Sequence, residues 1–381
     1  MDQFKYQCFS TVTFKNNGFD DEIEASAELH KFGGGQHFIK PKELDHLLGK
    51  ISNEELDLLE NLVKAVSKLD RTYREKYHSN TREEISSILC LPSMMRSILS
   101  IRILLEIGKK EEYILDIGPG SGYFGLMAAH LGYKIISTDI SSGYFCFQSY
   151  LYSNILGENQ YELFDGITNK KRRDSNRVIH IPVWEWSRES FELPENASLM
   201  FANHMLNEMH RHSLLYLMEL LEKNKSQHFV SIEGWGYGSR TNPKLLAQTQ
   251  KIFKLYGYSH YSHQEMPGFH AIDILKKTGT RRIEYIENDV YDINRKGKES
   301  EMAERISAVY NKDTADYQTT QNRWSSCEEG MLPSEAFTHL KQIYEKECLY
   351  KRCDQEFIDS IGTASDSNRL FLKGMKPGEY I

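Results

Sequence analysis

Hydrophobic and polar positions in the middle of the chain follow the block pattern of an α/β protein. A short apolar run at 113–117 predicts a buried parallel strand, a stretch of apolar and small residues at 124–131 predicts a helix, and 133–138 predicts a second strand. Further strands are predicted at 177–183, 198–202, 228–232, 258–263 and 269–276. Helices alternate with the strands until the last two, which form a closing pair around Pro267-Gly268.

Helical patterns flank this central region on both sides. Ser52-x-x-Glu55 is a capping box, and the apolar residues behind it recur at helical spacing. We therefore divide the chain into an N-terminal arm and helical cap (1–107), a main domain (108–280) and a C-terminal helical extension (281–381). Amphipathic helices are predicted in the extension at 299–310 and 334–349. The cap either covers a ligand or serves packing and dimerisation.

The turn after the first predicted strand contains three glycines, Gly118, Gly120 and Gly122. Because glycine has no Cβ, the backbone can turn tightly there and come close to a ligand. Asp139 stands at the tip of the second predicted strand, where an acidic residue can accept hydrogen bonds from both ribose hydroxyls of a nucleoside. The sequence therefore predicts a nucleoside site at this turn.

Two cofactors and a purely structural turn compete to explain these glycines. Gly120, Gly122 and Gly125 satisfy the GxGxxG pattern of dinucleotide-binding proteins. Asp116, however, lies two residues before the first glycine, where its carboxylate would repel a pyrophosphate. A carboxylate at that point suits a cationic amino-acid ligand, directly or through water. We therefore favour a nucleoside that carries a cationic amino acid over a dinucleotide.

The segment ILDIGPGSGYFG (114–125) resembles motif I of class I S-adenosylmethionine-dependent methyltransferases. Together with ISTDISSGYFCFQSYLYS (136–153), ANHMLNEMH (202–210) and IEGWG (232–236), it resembles bacterial sugar O-methyltransferases over roughly residues 85 to 275. The resemblance implies a Rossmann-like seven-stranded class I methyltransferase sheet, with the N-terminal helical cap and C-terminal helical extension added to it. It also implies S-adenosyl-L-methionine as cofactor.

The resemblance assigns the cofactor to residues along the edge where the parallel strands end. The residues assigned to cofactor binding are Asp116, Gly118, Gly120, Gly122 and Asp139. Trp184 follows the third predicted strand, where it can stack on adenine or simply fill the core. Asn203 follows the fourth strand and is a further binding candidate, although asparagine at a strand end is often only a turn former.

Methyl transfer to an alcohol needs a base that removes the hydroxyl proton during the attack. The candidates on the predicted strand-end edge are His204, Glu208, His210 and Glu233, and we favour His204 because it directly follows the fourth strand. Structural roles remain the alternative for each of them. The histidines and Glu208 match no firm metal-ligand spacing, so no metal site is predicted.

Composition narrows the class of partner. The net charge of −7 with 27% charged residues is that of an ordinary soluble chain and disfavours a nucleic-acid partner. Six scattered cysteines form no CxxC pair, so neither a zinc site nor a disulfide framework is predicted, and a reducing cytoplasm fits. The longest apolar stretch, 85–107, contains charges that disfavour a membrane span. We expect a small-molecule or saccharide acceptor and leave a homo-oligomer open.

The leading hypothesis is an S-adenosylmethionine-dependent O-methyltransferase that acts on a hydroxyl of a sugar, nucleotide-sugar or glycoconjugate, in polysaccharide biosynthesis. One alternative is a methyltransferase for another small acceptor, such as a phenol or a carboxylate. The other is a non-catalytic partner subunit with the methyltransferase fold. The intact glycines and Asp139 argue against that partner, since a scaffold has no physical need for them.

Overall fold

A computed structural model describes residues 41–78, 89–139, 142–157, 160–163, 177–186, 193, 197–203, 211–233, 252–266, 270–280 and 329–348. Its helices are α1 Pro41–Leu48, α2 Asn53–His78, α3 Leu91–Ile107, α4 Tyr123–His130, α5 Ser142–Leu156, α6 Val183–Trp186, α7 Arg211–Lys223 and α8 Pro333–Cys348. Its strands are β1 Tyr113–Ile117, β2 Lys134–Thr138, β3 Tyr161–Leu163, β4 Val178–His180, β5 Ala197–Ala202, β6 His228–Glu233, β7 Tyr258–Met266 and β8 His270–Lys277.

These elements fall into two compact units. Unit 1 contains the described residues that fall within 41–107, 119–186 and 329–348, and unit 2 contains those within 108–118 and 193–280. The division of the chain into cap, main domain and extension stays a prediction. The extension helix predicted at 334–349 is confirmed as α8, whereas the one predicted at 299–310 lies outside the described residues.

Unit 1 contains a group of packed helices, and the predicted capping box begins one of them. The Ser52 amide donates to the Glu55 carboxylate at 3.0 Å, and the Glu55 amide donates to the Ser52 hydroxyl at 3.2 Å. Two orphan N–H groups are thereby satisfied at the start of α2. The apolar positions predicted to form one face, among them Leu59 and Val63, are buried as expected.

The C-terminal helix α8 packs against α1 and α2 in the same unit. The main-chain amide and the hydroxyl of Ser334, near the start of α8, both donate to the Asp45 carboxylate, at 2.7 and 2.8 Å. Tyr344 is fully buried, and its hydroxyl donates to the buried carboxylate of Asp70 on α2. Polar contacts of this kind fix the register of an apolar helix contact, because a shifted helix would leave buried groups unpaired.

The arginine clamp joins α3 to the end of α1, the start of α2 and the residues between them; we define it as Arg102, Glu55 and the main-chain carbonyls of Leu48 and Lys50. The Arg102 guanidinium donates to both Glu55 oxygens, at 2.6 and 2.8 Å. It also donates to each of the two carbonyls at 2.6 Å. The side chains of Arg102 and Glu55 are each 12% exposed, so this bidentate ion pair is largely desolvated.

Each unit contributes parallel strands. In unit 1, β4 pairs in parallel with both β2 and β3. In unit 2, β5 pairs in parallel with β1 and β6, β8 runs antiparallel to β6, and β7 runs antiparallel to β8. The strand order is β3-β4-β2 in unit 1 and β1-β5-β6-β8-β7 in unit 2. The Rossmann-like α/β fold with a closing antiparallel pair is confirmed.

Two details of the sheet differ from the prediction. Eight strands are described rather than the seven predicted, because β3 is only three residues long and its sequence shows no strand pattern. The third predicted strand, 177–183, is shorter and ends at His180. Pro182 lacks the N–H that a strand ladder needs, and its carbonyl accepts from the Glu185 amide at 3.0 Å as α6 begins.

Candidate functional site

The glycine turn after β1 has the backbone that its sequence predicts. Gly118, Gly120 and Gly122 have φ angles of 64°, 56° and 72°, in the left-handed region that side chains with a Cβ rarely adopt. The Gly122 amide donates to the Pro119 carbonyl at 3.1 Å, and α4 begins directly after it at Tyr123. Only five residues therefore lie between the end of the strand and the start of the helix.

The glycines of the GxGxxG pattern are needed for different reasons. A Cβ at Gly120 would meet nothing within 4 Å, so this side of the turn faces open space. A Cβ at Gly122 or Gly125 would lie 2.9 or 2.6 Å from the hydroxyl oxygen of Tyr152, which is fully buried on α5. Packing against Tyr152 thus accounts for Gly122 and Gly125, whereas Gly120 leaves room that a ligand can occupy.

Asp139 follows β2 directly and is 5% exposed. Its Oδ2 accepts from the Gly120 amide at 3.3 Å and from the Gln148 side-chain amide at 3.0 Å. The same Gln148 nitrogen donates to the Gly120 carbonyl at 2.7 Å. The predicted acid is therefore held directly against the glycine turn.

A buried chain of hydrogen bonds continues from Gln148 to β4. His180 Nε2 lies 3.1 Å from Gln148 Oε1, and His180 Nδ1 lies 2.9 Å from the Ser149 hydroxyl. The Phe145 ring stacks on the imidazole with ring centroids 3.9 Å apart. Burial lowers the pKa of His180 to about 3, so the imidazole is neutral at physiological pH. We call Gly120, Asp139, Gln148, His180 and Ser149 the loop network.

The glycine turn is also tied to the N-terminal cap within unit 1. The Ser121 and Ser93 hydroxyls lie 2.9 Å apart, and the Cys90 amide donates to the Tyr123 hydroxyl at 3.0 Å. Tyr123 is buried, which raises the pKa of its phenol well above its ordinary value, so the neutral hydroxyl accepts this bond. These contacts place the start of α3 at the turn.

Unit 2 contains Asp116 and the first residues after β5. Asp116 is fully buried on β1 and is in register with Phe201 on β5, and Ile117 is in register with Ala202. The chain leaves β1 through Gly118 and β5 through Asn203, which is partly buried. Ligands of doubly wound sheets bind beyond the carboxyl ends of parallel strands, and β1 and β5 are neighbouring parallel strands of this unit.

The predicted catalytic residues are placed only in part. His204, Glu208 and His210 lie outside the described residues, so their roles stay predictions. Glu233 is the last residue of β6, and Trp184 lies in α6; the side chains of both are likewise outside what the structure describes. Among the described residues, no group of three His, Cys, Asp or Glu side chains could hold a metal ion.

Sequence patterns did not single out Gln148, His180, Ser149 or Tyr152 as parts of this site. The aromatic-rich, mostly core-facing helix predicted over 141–156 is observed at Ser142–Leu156: Phe145, Phe147 and Tyr152 are buried, whereas Tyr144 and Tyr150 are only partly buried. Two polar residues of this helix were not interpreted. Gln148 and Ser149 are fully buried, although glutamine and serine are usually exposed. Two adjacent polar residues within an apolar, aromatic helix are the pattern that could have indicated a buried network.

The parallel strands, the glycine turn and the acid after β2 define a Rossmann-like α/β fold. No protein-family model matches this chain, and no curated protein sequence matches it either. Among the residues that are described, no helix combines the length and the apolar character that a bilayer crossing needs.

Similar solved structures are numerous but distant. The pyocyanin biosynthetic protein PhzM is 12% identical with a TM-score of 0.35, and the match covers 49% of this chain and 56% of that one. Magnesium protoporphyrin IX methyltransferase (ChlM) from Synechocystis PCC 6803, with bound SAH, is 12% identical with a TM-score of 0.36, covering 49% and 86%. The glycopeptide N-methyltransferase MtfA, complexed with sinefungin, is 7% identical with a TM-score of 0.35, covering 48% and 87%. Similarity this low transfers neither a substrate nor an activity.

Proposed function

We propose that this chain is an S-adenosylmethionine-dependent methyltransferase that methylates a hydroxyl of a sugar, nucleotide-sugar or glycoconjugate. The observation that carries the donor assignment is the position of the Asp139 carboxylate, which the Gly120 amide and the Gln148 side chain hold against the glycine turn. The saccharide acceptor is supported by the resemblance of 202–210 and 232–236 to sugar O-methyltransferases.

The residues present fit this donor. Asp139 would accept hydrogen bonds from the ribose hydroxyls, and the open side of Gly120 leaves space for a ligand beside the main chain. Asp116 lies fully buried near the end of β1, and its carboxyl group is the one that the sequence pattern assigns to the cationic amino-acid part of the donor. When bound, S-adenosylmethionine supplies a methyl group on a sulfonium whose leaving group departs neutral. The chain has to bind the donor and the acceptor, align their reacting atoms and exclude water. It also has to take the acceptor's proton.

Donor binding is tested by calorimetric titration of the full chain with S-adenosylmethionine, with NAD titrated in parallel. We expect micromolar binding of the former and none of the latter. Asp139→Asn keeps an oxygen for Gly120 and Gln148 but removes the charge, and we expect it to weaken donor binding by about tenfold or more. Asp57→Asn, on the exposed face of α2, is the matched control and should bind normally. Binding of NAD alone would replace this proposal with the dinucleotide interpretation.

Acceptor class is tested with a donor whose methyl group is isotopically labelled. Nucleotide-sugars, phenols, carboxylates and RNA are offered separately, and the product is followed by mass spectrometry. Label on a nucleotide-sugar hydroxyl supports the proposal, and label on a phenol or carboxylate alone refutes the saccharide acceptor. His204→Ala is expected to abolish transfer while donor affinity stays unchanged. If this variant turns over at the wild-type rate, the base is another residue.

A further inference from the structure

Gln148 has a hydrogen-bonding arrangement that allows only one orientation of its amide. Its nitrogen lies 2.7 Å from the Gly120 carbonyl and 3.0 Å from Asp139 Oδ2, and both of these atoms are acceptors. The NH₂ group must therefore point toward them, which uses both of its hydrogens. The amide oxygen is left to face His180 Nε2 at 3.1 Å. A flipped amide would place an oxygen against a carboxylate and a carbonyl.

This orientation fixes the protons of the remaining members of the loop network. The Gln148 oxygen can only accept, so His180 carries its proton on Nε2 and donates to it. A neutral imidazole then accepts at Nδ1, where the Ser149 hydroxyl donates at 2.9 Å. Gln148, Ser149 and His180 are all fully buried, so the arrangement has no water to compete with it at these side chains.

We propose that Gln148 is a positioning residue of the donor site, which holds the Asp139 carboxylate and the Gly120 main chain at a fixed separation. His180 and Ser149 in turn hold the Gln148 amide. This inference rests on the proposed function, since it assumes that Asp139 binds the donor ribose. A ligand loses less free energy to ordering when the groups that bind it are already held in place.

The neutral character of Gln148 matters for this role. A lysine or arginine would hold Asp139 more strongly, but it would also cancel the charge that makes the carboxylate a strong acceptor for ribose hydroxyls. Hydrogen bonds from the Gly120 amide and from Gln148 orient the carboxylate without adding a positive charge. The alternative is that Gln148 only fills space between α5 and β4, in which case its donors would not affect ligand binding.

Gln148→Glu separates these two possibilities, because it keeps the size of the side chain and replaces the donating NH₂ with an oxygen. Two carboxylates then face each other, and such a pair retains a shared proton at a higher pH than a single carboxylate does. Among the described residues, the titratable groups bonded to Gln148 are Asp139 and His180. We expect the variant to bind S-adenosylhomocysteine at least tenfold more weakly than wild type at pH 8. Affinity should recover as the pH falls toward about 5.5, where the shared proton replaces one lost donor.

The titration is done calorimetrically from pH 8 to 5.5 on wild type, Gln148→Glu and Gln227→Glu. The last is the matched control, because Gln227 is exposed, belongs to unit 2, and donates through its side-chain amide to the Lys225 carbonyl. A space-filling role predicts weaker binding that does not recover at low pH, or no change at all, and either result overturns the proposal. Wild-type protein that binds no S-adenosylhomocysteine would instead overturn the proposed function.

Gln148→Met is the second variant and covers the case in which the buried glutamate prevents folding. Methionine has nearly the same length and volume but donates no hydrogen bond. Circular dichroism and thermal melting establish that the variant is folded. We expect a dissociation constant at least tenfold above that of wild type, and an unchanged constant in a folded variant overturns the proposal.

Discussion

The arginine clamp and the loop network are both largely buried polar clusters in unit 1, yet they treat their carboxylates differently. In the clamp, Arg102 makes a bidentate ion pair with Glu55 and uses its other donors on two main-chain carbonyls. In the loop network, the described hydrogen bonds to Asp139 include two from neutral donors, the Gly120 amide and the Gln148 side chain. In the clamp, a guanidinium neutralises the carboxylate and joins helices. In the loop network, hydrogen bonds orient the carboxylate.

The difference separates a structural cluster from a candidate binding cluster. A carboxylate that is paired with a guanidinium contributes to stability through charge and geometry, and removal of the partner leaves a buried charge. A carboxylate that is held by neutral donors keeps its capacity to attract a ligand. Each region can therefore be disturbed in a way that should leave the other intact.

The largest expected effect is on the clamp itself. Arg102→Met removes four described hydrogen bonds and leaves Glu55 without its guanidinium in a largely buried position. We expect a loss of about 3 kcal/mol in the free energy of unfolding, measured by urea denaturation. The folded fraction should bind the donor with wild-type affinity. Weakened donor binding in fully folded protein would contradict the separation of the two regions.

The next effect comes from the packing beside the loop network. Gly125→Ala places a Cβ 2.6 Å from the Tyr152 hydroxyl oxygen, and we expect a loss of about 2 kcal/mol in the free energy of unfolding. Tyr152→Phe removes that oxygen, so the double variant should lose less than the sum of the two single variants. Thermal melting of the four proteins measures this coupling. A stabilised Gly125→Ala protein would mean that helix propensity outweighs the clash.

A smaller effect concerns the pH dependence of the loop network. The folded pKa of His180, about 3, is below its ordinary value of 6.5, so the unfolded chain binds a proton first as the pH falls. The contribution of the neutral His180 to the free energy of unfolding is therefore present above pH 6.5 and is lost progressively from there toward pH 3. Between pH 6.5 and 5, we expect His180 to contribute a loss of about 1–2 kcal/mol. Urea denaturation at both pH values measures it, and His180→Gln should lack this portion of the loss.

The smallest expected effect tests whether an ion pair that is more exposed than the arginine clamp contributes to stability. Lys64 and Glu60 form an ion pair at 3.1 Å on α2, with side chains 41% and 23% exposed. Lys64→Met should change the free energy of unfolding by less than about 0.5 kcal/mol, because solvent screens the pair and Glu60 keeps its bond to His339. Urea denaturation of Lys64→Met and Arg102→Met under the same conditions compares the contributions of the two ion pairs. A loss near that of Arg102→Met would mean that burial does not distinguish the two pairs.

Much of the fold could be predicted from the sequence, because strands and helices have different hydrophobic periods. The strands were placed within a few residues, with two exceptions. The three-residue β3 was not predicted, and the strand predicted to reach 183 ends at His180, shortly before Pro182. The glycine turn and the acid after β2 were also predicted, since both depend on local backbone chemistry. The acceptor side was predicted less firmly: the roles of His204, Glu208 and His210 rest on sequence alone.

The sequence by itself determined the strand and helix pattern, the capping box at Ser52 and the left-handed turn with Asp139 beyond it. Each of these depends on residues close together in the chain, where period, capping and φ angles act. Only the tertiary structure decided that Gln148 lies between Gly120, Asp139 and His180, and that Tyr152 excludes a side chain at Gly125. Those contacts join residues from the glycine turn, α5 and β4, and buried polar groups reveal their partners only once packing has brought the elements together.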